Sequence, residues 1–301
     1  MKIRRVGAYG ISRDEAGRVL LARNSSLSNF PGLWTLPGGG VEQGEHPDDT
    51  VMREFGEETG LSVRIDGLHS VTADVFRLPG GELEHTDRVI YDVRVTGGTL
   101  RFETGGTTEH VEWIAQTDLS ELPLMPFTAA VLGVGEAVES DKPDGDEELL
   151  RPARVQRFGA YAAATDPAGR ILLTKIAPGY PGAGRWHLPG GGTDHGETPE
   201  SALARELIEE TSQHGRVTGL LGMSHRHDPA ALGPEGVPID WHVIRVLFRV
   251  SIDLPTEPVV TEEAGGSTAE AGWFTLAQAR SLSLTELAAT AVERVGAERA
   301  R

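Results

Sequence analysis

The chain of 301 residues has no cysteine. That excludes disulfides, thiolate metal sites and cysteine nucleophiles. Lysine is scarce, with three beside twenty-five arginines. Basic residues are outnumbered 28 to 45 by acidic ones, for a formal net charge of −17. A chain this acidic repels polyanions, so a nucleic-acid polymer and an anionic membrane are both poor partners. Aromatic residues make up only 6%. No apolar run is long enough to span a bilayer. The start, Met1-Lys2-Ile3-Arg4-Arg5, runs into strand-like sequence without a secretory apolar region, so the expectation is a cytoplasmic protein.

What the chain does have is a repeat. Arg53-Glu54-Phe55-Gly56-Glu57-Glu58 returns 152 positions later as Arg205-Glu206-Leu207-Ile208-Glu209-Glu210. Leu36-Pro37-Gly38-Gly39-Gly40 returns as Leu188-Pro189-Gly190-Gly191-Gly192, Glu45 as Glu197 and Trp34 as Trp186. Trp113 and Trp273 correspond at a larger offset, so the second half has gained residues after its charged run. Asp228 to Asp240, rich in Pro and Gly, is the expected place. Two domains follow, 1–138 and 153–301, with the acidic stretch 139–152 as linker.

Three carboxylates on one helical turn repel one another. A sequence that accepts this twice points to carboxylates that hold a divalent cation. At about 100° per residue, Glu54, Glu57 and Glu58 share one arc of the helix, and Val51 and Phe55 face the core beside it. Leu203 and Leu207 do the same beside Glu206, Glu209 and Glu210. All-oxygen donors suit Mg²⁺ or Mn²⁺, which take six ligands at about 2.1 Å. A solvated acidic face is the bland alternative. The glycine loop, Glu45 and Arg53 in the same register twice argue against it.

Gly39, five residues, Glu45, seven residues, Arg53-Glu54-Phe55, one residue, Glu57-Glu58, one residue, Gly60-Leu61 resembles the complete Nudix box. The second copy matches through Glu209-Glu210, then carries Ser212 and Gln213 where the family has glycine and an apolar residue. The resemblance implies an α/β protein of two α/β/α sandwiches with mixed sheets. It implies Mg²⁺- or Mn²⁺-dependent hydrolysis of a nucleoside diphosphate linked to another group, a small-molecule substrate. Catalysis and metal binding then fall to Glu54, Glu57, Glu58, Glu206, Glu209 and Glu210, with the carbonyls of Gly38 and Gly190 as further metal ligands. Gly39, Glu45, Arg53, Gly191, Glu197 and Arg205 support the site. The missing cysteine counts against the isopentenyl diphosphate isomerase branch. Two other readings stay open: a nucleotide-sensing protein that does not cleave, or a catalytic first domain with a structural second. Ser212 in place of glycine predicts a rebuilt turn and a weaker or more specialised second domain.

Further residues have a functional and an ordinary reading. Arg23 and Lys175 occupy matching strand ends, as phosphate contacts or as exposed termini. His225 and His227 alternate on a strand, lining a pocket or the surface. Glu109, Glu112 and Glu270 precede the late tryptophans, where some Nudix enzymes carry an additional acid. Trp34 and Trp186 read as packing, and Pro229 is a weak echo of ADP-ribose enzymes. Helices are predicted over 117–137, broken between Pro123 and Pro126, and over 276–297.

Overall fold

The computed structural model describes residues 2–78, 81–101, 106–135, 154–232, 238–261 and 266–299. The expected linker 139–152 lies outside them. The backbone divides into two compact units, Met1–Gln156 with His227–Trp241, and Arg157–Arg226 with His242–Arg301. Among the described residues no helix is long and apolar enough to cross a membrane.

The first unit opens with β1 (Lys2–Ser12) and β2 (Val19–Asn24). Between them Asp14 accepts the amides of Ala16 and Arg18, which fixes the turn. β3 (Trp34–Thr35), β4 (Gly38–Gly40), β5 (Leu61–Arg77), β6 (Leu83–Gly98) and β7 (Thr108–Ile114) follow. One sheet runs β4-β1-β6-β5, with β1 and β6 parallel and the other pairs antiparallel. A second, β3-β2-β7, is antiparallel.

Strand alternation sets the layers. On β1, Tyr9 packs on Phe127 of α2 (Pro126–Val131), ring centroids 4.9 Å apart. The next residue, Gly10, faces the other way, where an added Cβ would stand 2.6 Å from Phe55 at the end of α1 (Pro47–Glu54). The two helices therefore cover opposite faces of the sheet, which gives the α/β/α sandwich.

The second unit repeats this with β8 (Arg154–Thr165), β9 (Ile171–Ile176), β10 (Trp186–His187), β11 (Gly190–Gly192) and α3 (Pro199–Thr211). β12 (Arg216–Leu232) and β13 (Pro238–Ser251), apart from the stretch His227–Trp241 grouped with the first unit, then β14 (Thr268–Phe274), α4 (Leu276–Ser281) and α5 (Glu286–Arg299) complete it. The sheet order is β10-β9-β8-β13-β12, with β11 on β8 and β14 on β9. Leu247 of β13 joins the apolar face of α5, formed by Leu287, Ala291, Val292 and Val295. Val250, an odd number of positions on, lies on the other face beside Gly215, which also borders Leu207 of α3.

Two predicted helices are broken. The one over 276–297 ends at Ser281 and restarts at Glu286. Between them Leu284 bridges Trp186 and the Thr285 amide donates to the Trp186 carbonyl, which holds the chain extended. In the first unit Leu124 bridges Trp34 in the same way, so only a 3₁₀ turn (Leu119–Glu121) and α2 form among the described residues there.

The turn after α3 is not rebuilt. Ser212 takes the left-handed conformation at φ 55°, as Gly60 does at 72°. Its hydroxyl donates to the Val259 carbonyl at 2.8 Å, which offsets backbone strain of about 1 kcal/mol. Gln213 is buried; its Nε2 donates to Thr211 O and Thr256 Oγ1, and its Oε1 accepts the Thr256 amide. Polar ties thus stand where Leu61 supplies an apolar anchor. Gln213→Leu should destabilise the protein by about 1–3 kcal/mol by stranding these groups. Denaturant unfolding measures this, and unchanged stability would show that the ties carry no weight.

Candidate functional site

The charged helix of the first unit starts where local chemistry dictates. His46 is its N-cap and accepts the Asp48 amide, Pro47 fills the first turn, and Asp48 and Asp49 face the positive end of the dipole. After Glu54 the helix widens into a single π turn, Phe55–Thr59, closed by the Thr59 hydroxyl on the Phe55 carbonyl at 2.5 Å. α3 is regular over the matching stretch and begins with a capping box from Thr198 and Ser201.

Arg53 is the hub of the first site. Nε and Nη2 donate to the two oxygens of Glu45 at 2.9 and 3.0 Å. Nη1 donates to Glu54 at 2.9 Å and to Glu57 at 3.0 Å, and Nη2 reaches the Gly40 carbonyl at 3.4 Å. Arg205 repeats every one of these bonds with Glu197, Glu206, Glu209 and Gly192, between 2.8 and 3.3 Å. One atom of each guanidinium therefore draws two carboxylates of the run together.

The third carboxylate serves differently. Glu58 accepts the Gly38 amide at 3.0 Å and the Thr108 hydroxyl at 2.6 Å. Glu210 accepts the Gly190 amide at 2.8 Å and the Thr268 hydroxyl. Each ties the glycine loop to the helix and to a late strand. The helical arc alone put all three carboxylates on an open cleft, yet Glu58 is 7% exposed while the Glu57 side chain is 54% exposed. Burial pushes the Glu54 carboxyl up, against the lowering effect of Arg53.

The glycines are required by close approach. A Cβ on Gly39 would stand 2.4 Å from the Glu54 carboxylate, and one on Gly191 2.5 Å from that of Glu206. Gly38 and Gly190 have φ of 144° and 134°, and a Cβ on either would run into a carbonyl of β1 or β8.

Other predicted residues assemble in pairs. Arg23 lies 3.4 Å from Glu109, and Lys175 lies 3.3 Å from Glu270 and over the Trp186 ring at 5.6 Å. Glu112 pairs with His110. Trp34 and Trp186 are buried packing residues. His225 contacts His242, and His227 contacts Asp240. Thr108 and Thr268 were not among the predicted residues, although each stands five positions before a late tryptophan.

Among the described residues no three acidic or imidazole groups close on one point. The chemistry of the donor set nevertheless fits a hard divalent cation. The donors are all oxygen, and in each unit two carboxylates already share one guanidinium nitrogen.

Burial would raise the Glu45 carboxyl, but hydrogen bonds from Arg53 and Thr50 prevail and hold it at about 2. A folded-state value below the ordinary 4.5 stabilises the fold above that pH and is lost as pH falls through about 2. Glu45→Gln should therefore cost roughly 2–3 kcal/mol near neutral pH, and the gap should close in acid. Paired unfolding curves across pH test this, and a pH-independent gap would contradict it.

The NUDIX domain family model matches residues 1–132 and 155–295. An ADP-ribose pyrophosphatase of Methanocaldococcus jannaschii is 32% identical over 114 residues, 38% of this chain and 62% of that protein. A CTP pyrophosphohydrolase of Escherichia coli is 29% identical over 145 residues, 48% of this chain and 98% of that protein. The chain spans about three fifths of the length of the first curated relatives it matches. Among solved structures, a MutT NUDIX hydrolase from Burkholderia pseudomallei aligns at 29% identity with a TM-score of 0.39, over 43% of this chain and 96% of that one. With both halves matched and most of its length taken in, the chain belongs to the NUDIX family.

Proposed function

We propose that the protein hydrolyses a phosphoanhydride bond of a nucleoside diphosphate derivative, with Mg²⁺ or Mn²⁺ as cofactor. The observation that carries this reading is the complete carboxylate–guanidinium network, present twice with the same partners. A protein that only sensed its ligand would have no need to keep all six glutamates. The relatives support the same bond type, since an ADP-ribose pyrophosphatase and a CTP pyrophosphohydrolase are both among them.

Glu54, Glu57 and Glu58, with the Gly38 carbonyl, would hold the cation in the first unit. Glu206, Glu209, Glu210 and Gly190 would do so in the second. The bound cation supplies charge neutralisation at the diphosphate and a more acidic water. The protein supplies the rest. Glu45 and Glu197 hold the guanidinium that orients the carboxylates. Glu58 and Glu210 keep the glycine loop against the helix. Glu57 and Glu209, the most exposed of each set, are placed to accept the proton of the attacking water.

Activity on a panel of nucleotide sugars, dinucleotides, ADP-ribose and nucleoside triphosphates should require Mg²⁺ or Mn²⁺ and stop with EDTA. Glu57→Gln and Glu209→Gln should each remove the contribution of one unit, and together lower turnover by roughly 10²–10⁴-fold. Circular dichroism checks that the variants fold. Near wild-type turnover in the double variant would return the carboxylates to the role of a solvated face.

A further inference from the structure

The second unit contains a cavity of about 150 Å³ between β12, β13 and α5. A cavity of roughly this size admits a molecule as large as benzene. Arg226, Arg245 and Arg294 line it, against a single acid, Glu286. Two polar atoms on its wall, Arg245 Nε and Ser224 Oγ, are buried and have no hydrogen-bond partner among the described residues. No carboxylate among those residues pairs with Arg245 either. Arg245 is partly buried, and its Nε lies out of water without an acceptor, a desolvation cost that an anion would offset.

The first unit shows how the same place can be filled from within. Arg88-Val89-Ile90-Tyr91 of β6 corresponds to Arg245-Val246-Leu247-Phe248 of β13. Arg88 is buried, and its Nε, like that of Arg245, has no partner among the described residues; the difference is that its Nη1 donates to Asp74 at 2.6 Å and the Phe127 ring lies 4.3 Å from its guanidinium carbon. Leu124 bridges Trp34 and Leu284 bridges Trp186, so the residue three positions on is Phe127 in one unit and Leu287 in the other. Leucine has no ring to cover the arginine, and Leu287 lines the cavity instead.

We propose that Arg245 binds an oxyanion, a phosphate or carboxylate group of a small molecule, in this cavity, and that Asp74 and Phe127 close the corresponding place in the first unit. The field of Arg245 extends to a neighbouring imidazole. His187 is lowered to about 4 by burial first, then by Arg245 and Arg185, and stays neutral in its contact with Thr285.

The test titrates sodium orthophosphate, and separately sodium acetate, into the full-length protein at fixed ionic strength with EDTA present. Arginine Nε–H signals are followed by NMR. A saturable shift is expected at Arg245, assigned by its loss in Arg245→Lys, with no shift at Arg88. Leu287→Phe should weaken binding by about tenfold or more, the range of one charge-assisted hydrogen bond. A response to phosphate alone or to acetate alone identifies the group recognised. No saturable shift with either anion would overturn the proposal, as would unchanged affinity in Leu287→Phe. EDTA removes metal-dependent hydrolysis, so this result stands or falls apart from the hydrolase reading.

Discussion

Each site depends on one guanidinium that compensates the repulsion its own helix creates. Carboxylates one and four positions along a helix from it would push apart, and burial raises the cost of ionising Glu54. Arg53 draws Glu54 and Glu57 to one nitrogen and is itself held by both oxygens of Glu45. Such charge-assisted bonds contribute about 1.5–3 kcal/mol each when partly shielded from water. The glycine loop follows from the same constraint, because the Glu54 carboxylate packs where a Cβ on Gly39 would be.

The two units share this centre and differ around it. The helix widens into a π turn in the first unit and stays regular in the second. Leu61 is an apolar anchor after the first helix, whereas Gln213 ties the second to Thr256. Arg88 is sealed by Asp74 and Phe127, whereas Arg245 faces a cavity. The carboxylates and the guanidinium that gathers them are the same in both units.

What could be read from the sequence was local. Pro47 starts the first helix and Gly60 ends it, and their spacing to the carboxylates is visible in the chain. The two-sided packing follows from alternation around Tyr9 and Gly10, whereas the strand order, with β1 parallel to β6, does not. What escaped involves partners distant in sequence. The helical arc puts Glu58 on an open face, but Thr108, fifty positions on, and the Gly38 amide make its burial possible. The repeat did contain that contact, since Thr108 and Thr268 keep step with Trp113 and Trp273. Helix propensity through 282–285 lost to the bridge with Trp186. The rebuilt turn expected at Ser212 is absent because a hydroxyl bond to Val259 supports the strained backbone.

The central claim is that the two carboxylate runs bind a divalent cation independently. Electron paramagnetic resonance titration with Mn²⁺ tests it most directly, comparing the wild type with Glu54→Gln, Glu206→Gln and the double variant. The account predicts that each single change removes the sites of one unit and that the double change removes both, with the fold intact. Mn²⁺ binding that survives in the double variant would contradict it.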